Sequence, residues 1–184
     1  MPEIKLEIGG LKEALAGLDA YERTRVARAA IRAMNRGINS ARTLMVREIS
    51  RETGLKSGDV RKALPLSEAR DGRLEARLAA SLKLMPLAKF RATGPFPSRG
   101  RGRGVRWRIG SRTGRDERAF LAQMTSGHRG VFKRVGKGRL PIVELFGPSL
   151  GHIFGKYRAQ ALARAQEIFD TNFDHEIQFE TSHA

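Results

Sequence analysis

The stretch that most limits how this chain can fold is Gly130–Pro148, where two apolar runs flank a basic glycine turn. Val131, Phe132 and Val135 precede Gly136-Lys137-Gly138, and Ile142, Val143, Leu145 and Phe146 follow it. Short β-branched and aromatic runs bounded by glycine predict a strand, a turn and a second strand. Pro141 limits where the second strand can lie. Lacking an amide proton, it belongs at the start of that strand, or on a sheet edge with the missing donor facing away from a neighbour. An exposed edge invites pairing with another chain.

Helical spacing dominates both ends. Ala27, Ile31, Met34, Ile38, Ala41, Met45 and Ile49 recur at intervals of three and four, predicting one helix over about 21–51. At 1.5 Å per residue it is roughly 45 Å long. Gly37 lowers its stability slightly without breaking it. Arg23, Arg25, Arg28, Arg32, Arg36, Arg42 and Arg47 fall mostly off the stripe. They form either a solvated face or a surface for an acidic neighbour. A second stripe, Ile153, Phe154, Tyr157, Ala161, Ala165, Ile168, Phe169, Phe173 and Ile177, predicts a carboxy-terminal helix with Ser149 as its cap. Its opposite face mixes charges, so packing on a sheet is expected in place of a membrane surface.

Between the helices the period changes to two. Ile4, Leu6 and Ile8 alternate with charges and end at Gly9-Gly10, a short strand, and Leu11, Leu15 and Leu18 start a helix. Ser57 is placed to cap a short helix that Pro65 ends. Asp71-Gly72 predicts a hairpin joining Leu66–Ala69 to the strand from Leu74 to Ala80. Leu82–Phe90 reads as a further strand, on an edge or bulged because of Pro86. Phe120–Met124 is a short apolar strand or turn. The class is therefore α+β: a small antiparallel sheet with hairpins, packed against a long amino-terminal and a carboxy-terminal helix. A chain of 184 residues suits one domain, 1–184, with an ordinary core.

Charge bears on partners. With 35 basic against 19 acidic side chains, the formal charge is +16, which nucleic acid, an acidic membrane or acidic proteins would complement. The excess concentrates at 94–118, where Arg99, Arg101 and Arg103 alternate with glycine and Arg106 and Arg108 flank Trp107. This segment is expected to be a flexible basic hairpin, since glycine loses much conformational entropy on ordering. Its guanidinium groups can fork onto phosphate or carboxylate oxygens. A dinucleotide site needs three glycines in fixed register between strand and helix, which this repeat lacks, so no cofactor is expected. His128, His152, His175 and His183 show no metal-ligand spacing. No paired carboxylates or nucleophile elbow can be named, so no catalytic, cofactor or metal residue is proposed. Cysteine is absent, which fits a reducing compartment. No secretory signal or membrane span is expected.

Three blocks carry a family likeness: Ala119–Met124, then Gly127–Arg134, then Arg139–Pro148 with its Leu-Pro-Ile and Phe-Gly-Pro. In this order, ahead of a terminal helix, they resemble the tail completion proteins of long-tailed bacteriophages, in particular the minor tail protein Z family. The long helix, Ser57–Lys62 and the Leu-Met-Pro-Leu-Ala-Lys-Phe run at 84–90 extend the likeness across most of the chain. The resemblance implies a structural virion protein assembled in the host cytoplasm. It would form a ring, expected to be six-fold, at the head-proximal end of the tail. Neighbouring copies, the tail terminator, the tail tube and the neck proteins (connector or stopper) would be its partners. Phe120, Phe132, Arg134, Leu140, Pro141, Ile142, Phe146 and Pro148 are then the expected subunit contacts. Arg99, Arg101, Arg103, Arg106 and Arg108 are expected to meet an acidic neighbour or the phage DNA in the lumen. The alternative is a stand-alone basic nucleic-acid-binding protein.

Overall fold

The structure, a computed structural model, describes residues 2–7, 9–96, 104–136 and 138–182. The chain forms two compact units, one of Met1–Val46, Arg61–Ser81 and Gly151–Ala184, the other of Arg47–Val60 and Leu82–Leu150. Long helices and small antiparallel sheets make the class α+β, as the sequence predicts.

In the first unit, strand β1 (Glu3–Glu7) and strand β2 (Leu66–Ser67) both pair antiparallel with a central β3 (Glu75–Ala79). Ile4 faces Leu78 and Leu6 faces Ala76 across the ladder, and these four side chains are buried. The Asp71-Gly72 turn closes the β2–β3 hairpin, with Gly72 at φ 76, a backbone that costs glycine nothing sterically. Helix α1 (Leu11–Ala16) leads into α2 (Ala20–Thr53). Asp19 accepts from the amides of Tyr21 and Glu22, each at 2.8 Å, capping α2 by the carboxylate mechanism. Helix α4 (Gly151–Ser182) starts two residues after Ser149, so Ser149 lies outside the cap position assigned to it from sequence.

The buried stripe of α2 runs Ala30, Ala33, Met34, Ile38, Ala41 and Met45, and that of α4 runs Phe154, Ala161, Ala165 and Phe169. Ala27 and Ile31 are half-buried. Gly37 has a structural purpose that its helix propensity conceals. A Cβ there would stand 2.6 Å from the carbonyl oxygen of Ala165 on α4 and 3.3 Å from Leu6 on β1. Only glycine admits that approach.

The arginines of α2 are not simply solvated. Arg32 donates to Glu176 and Glu180 of α4, while Arg36 reaches Glu176 at 2.8 Å and the Asn172 oxygen at 2.9 Å. Arg25 lies 3.9 Å from Glu180. The acidic neighbour is the chain's own terminal helix. Glu176 is buried at 4% exposure, so its charge requires those guanidinium partners. Arg32 in turn holds the Glu180 carboxyl below its ordinary value, chiefly by side-chain hydrogen bonding.

In the second unit, Gly54 at φ 75 ends α2. The Lys56 carbonyl accepts from the Asp59 and Val60 amides at the start of α3 (Ser57–Ala63). Ser57 is thus the first helical residue, and its hydroxyl lies 3.5 Å from that of Ser50. Strands β4 (Val105–Ile109) and β5 (Arg112–Asp116) form a hairpin. Strands β6 (Ala119–Gln123), β7 (Arg129–Arg134) and β8 (Ile142–Glu144) form an antiparallel sheet in that order.

The strand expected at Leu82–Phe90 is not formed. Pro86 makes a single bridge to Phe146 and a 3-10 helix follows at Leu87–Lys89. Met85, Leu87 and Phe90 are buried while Leu82 and Leu84 are exposed, a spacing that suits a tight turn better than a pleat. Gly147 lies against the Phe90 ring, where a Cβ would come within 2.4 Å.

Candidate functional site

Two surfaces of the second unit concentrate the features expected to act. The first is the free edge of β8. The Leu145 amide donates to the Val131 carbonyl at 2.8 Å, and the Val135 amide donates to that of Pro141 at 3.1 Å, with Lys133 opposite Val143. Antiparallel alternation therefore turns residues 141, 143 and 145 toward β7, and directs the backbone groups of Ile142 and Glu144 outward. Pro141 occupies the position before β8. Its missing donor faces β7, contrary to the second placement expected for it, and because it lies at the ladder's end only one terminal bond is lost. Residues 85–87 cover the sheet edge at 145–147, through Leu87 donating to Leu145 and Gly147 donating to Met85. Among the described residues no strand lies beyond Ile142–Glu144.

Around this edge stand Val135, Leu140, Val143 and Phe146, all exposed, Leu140 at 72%. The assembly residues expected from sequence divide here. Leu140, Pro141, Phe146 and Pro148 are exposed and Ile142 is half-buried. Phe132, at 6% exposure, is an internal residue. Its ring lies 6.4 Å from that of Phe120, and the Arg134 guanidinium covers Phe120 at 5.5 Å. Gly130 leaves room for the Phe132 ring and the Glu144 carboxylate, each 2.8 Å from where a Cβ would be. Glu144 pairs with His128 at 2.8 Å. Val135 and Val143 belong to the surface but stood outside the expected set, because the apolar run does not reveal which of its members face solvent.

The second surface is a basic sheet face. Thr93 and Arg106 exchange backbone bonds at 2.8 Å in each direction, and the Arg108 amide donates to Phe90, so residues 90–93 extend the β4–β5 hairpin. Arg106 stands opposite Arg115, and Arg108 opposite Thr113. Together with Arg91 and Thr93 they line an open groove of about 510 Å³. The Trp107 ring lies over Gly114 on the hairpin face that alternation shares with buried Val105, and both residues also border the groove. Asp116, also on that face, accepts from Lys133 at 2.9 Å, and this bond is the main cause holding its carboxyl below the ordinary range. Arg91 has φ 46, uncommon for a residue with a side chain. Arg106 and Arg108 are thus brought together with Arg91 and Arg115, which sequence reasoning did not select. Arg99, Arg101 and Arg103 lie outside the described residues.

Among the described residues no group of three His, Cys, Asp or Glu could hold a metal ion, and no helix is long and apolar enough to cross a membrane.

A family model described as prophage minor tail protein Z (GPZ) matches residues 8–183. The chain belongs to that family. It is therefore a structural protein of a phage tail, a component of the virion. Neither the curated proteins nor the solved structures contain a match to it. For this minor tail protein Z family member the sheet of β6, β7 and β8 lies within the matched residues.

Proposed function

We propose that this tail protein completes the tail by closing into a ring at its head-proximal end, where it joins the tail to the neck. One observation carries the reading: among the described residues β8 is an edge strand, with the backbone groups of Ile142 and Glu144 turned outward within a border of exposed Leu140, Val143 and Phe146. An open edge with apolar flanks suits strand addition by a neighbour, in which main-chain bonds give affinity and side-chain pockets give register. Repeated head to tail, such a contact generates a ring if its rotation closes. Six copies are expected, with the tail terminator, the tail tube and the neck proteins (connector or stopper) as neighbours. Assembly takes place in the host cytoplasm. The formal charge of +16 per copy opposes close approach of copies, which favours acidic neighbours on the ring's faces.

The test is native mass measurement of the chain alone and with its tail terminator. A ring of defined stoichiometry, lost with Leu140→Asp, is the expected result. A chain that stays monomeric and binds no tail or neck component overturns the proposal.

A further inference from the structure

We infer that β8 of one copy receives β1 of a second copy as an added antiparallel strand. The inference rests on the proposed strand addition at β8 and names the strand that arrives. Two copies meeting β8 to β8 make a closed pair, and only unlike surfaces repeat from copy to copy. Few strands offer the second surface. Among the described residues the free sides belong to β1, β2 and β5, since the Leu121 amide of β6 donates to the Pro95 carbonyl and residues 90–93 flank β4. Strand β2 is two residues long. Strand β5 would bring Arg112 and Arg115 toward Arg134 and Arg139 at the β8 border, and like charges facing across a ladder are destabilising. Strand β1 has five residues and carries Glu3 and Glu7.

The backbone of β1 is disposed for this. The Ala80 amide donates to the Pro2 carbonyl at 3.0 Å, so in a register that sets Ile4 against Leu78 and Leu6 against Ala76 the even residues bond to β3. The backbone groups of Glu3, Lys5 and Glu7 therefore point away from it. A lysine on an edge usually deters an incoming strand. Lys5 does not guard this one, because its ammonium is held on the sheet face by Glu7 at 2.5 Å and Glu75 at 3.0 Å. The faces also match. Antiparallel addition sets the charged row of β1 against Ile142 and Glu144, on the face that carries Arg134 and the His128–Glu144 pair. It sets the row of Ile4 and Leu6 on the other face, beside exposed Val143, which continues buried Val131 and Leu121. A parallel strand would reverse the two rows and place the charges beside Val143. Residues 85–87 close the edge from Leu145 onward, leaving 140–144, a stretch the length of β1.

Cysteine is absent from the chain, so introduced thiols report the contact directly. Full-length Lys5→Cys and Ile142→Cys, mixed and oxidised, should give a disulfide joining one of each, with little homodimer. Facing residues across such a ladder lie about 5.5 Å apart, within disulfide reach. A second pair of variants reads the backbone by sedimentation velocity. Lys5→Pro removes an outward amide and no internal ladder bond, so it should raise the dissociation constant of the subunit contact by about 10-fold at an unchanged melting temperature. Lys5→Ala, which keeps the amide, should leave that constant within about 2-fold. Absence of the mixed disulfide, disulfides confined to Ile142→Cys alone, or assembly indifferent to Lys5→Pro overturns the inference. A ring that persists through Lys5→Pro leaves ring closure standing, whereas an open string of copies linked from 5 to 142 keeps this contact and overturns closure.

Discussion

Replacing Leu140 separates assembly from folding, because its side chain stands 72% exposed in the chain. Fully burying a leucine is worth roughly 1.5–3 kcal/mol, so contact with a neighbour puts about 1–2 kcal/mol at stake here. Leu140→Ala should accordingly raise the dissociation constant of each subunit contact by about 5- to 30-fold. The unassembled chain should hardly notice, within about 0.5 kcal/mol, as for other surface substitutions. Leu140→Asp goes further, since a carboxylate buried in an apolar contact must find a partner or lose its charge. Phe132→Ala supplies the contrast. That ring is 6% exposed, and deleting a buried phenylalanine costs about 3–5 kcal/mol of folding free energy. For a chain of this size that lowers the melting temperature by about 6–20 °C. Sedimentation velocity over a concentration series reads assembly, and far-UV circular dichroism melts read folding. If Leu140→Ala lowers the melt as Phe132→Ala does, or if Leu140→Asp assembles with the wild-type constant, the edge is not the contact.

Gly37→Ala should destabilise the chain by about 1–2 kcal/mol, as overpacking does, because the new Cβ meets the Ala165 carbonyl at 2.6 Å. Gly155→Ala, with nothing within 4 Å, should gain up to about 1 kcal/mol of helix propensity; urea titrations that rank the two alike refute the close crossing. Glu180 has its folded value depressed by Arg32. Its stabilisation is therefore complete above the unfolded value, about 4.3, and is lost as pH falls through the lower folded value. Glu180→Gln should flatten that acid limb, and acid melting curves that run parallel below this pH would contradict the pairing.

Much of the architecture is legible in the sequence because it rests on local regularity. The three- and four-residue spacing from Met34 to Met45, the Asp71-Gly72 turn and the glycine-bounded run at 130–146 each specify an element through nearest neighbours along the chain. Leu82–Phe90 misled for the same reason. Its apolar run suits a strand, but Met85, Leu87 and Phe90 are the positions that gain burial, and a 3-10 turn at Leu87–Lys89, following the single bridge at Pro86, places them. The expected assembly set could not separate Phe132 from Leu140, since the two look equally apolar in sequence while one is internal and the other exposed.

What the sequence by itself determined was the α+β class, the positions of the long helices, the basic excess and, through three blocks of residues, the phage tail family. Tertiary structure alone decided which charges are already matched. Arg25, Arg32 and Arg36 meet Glu176 and Glu180 some 140–155 positions away, and Arg106 and Arg108 join Arg91 and Arg115 along one open groove. The physical reason is that electrostatic pairing depends on distance in space, which no spacing along the chain records. It also decided that Gly37 is a point of helix contact and that β8 is an edge, because close approach and an unpaired ladder exist only once distant segments have been brought together.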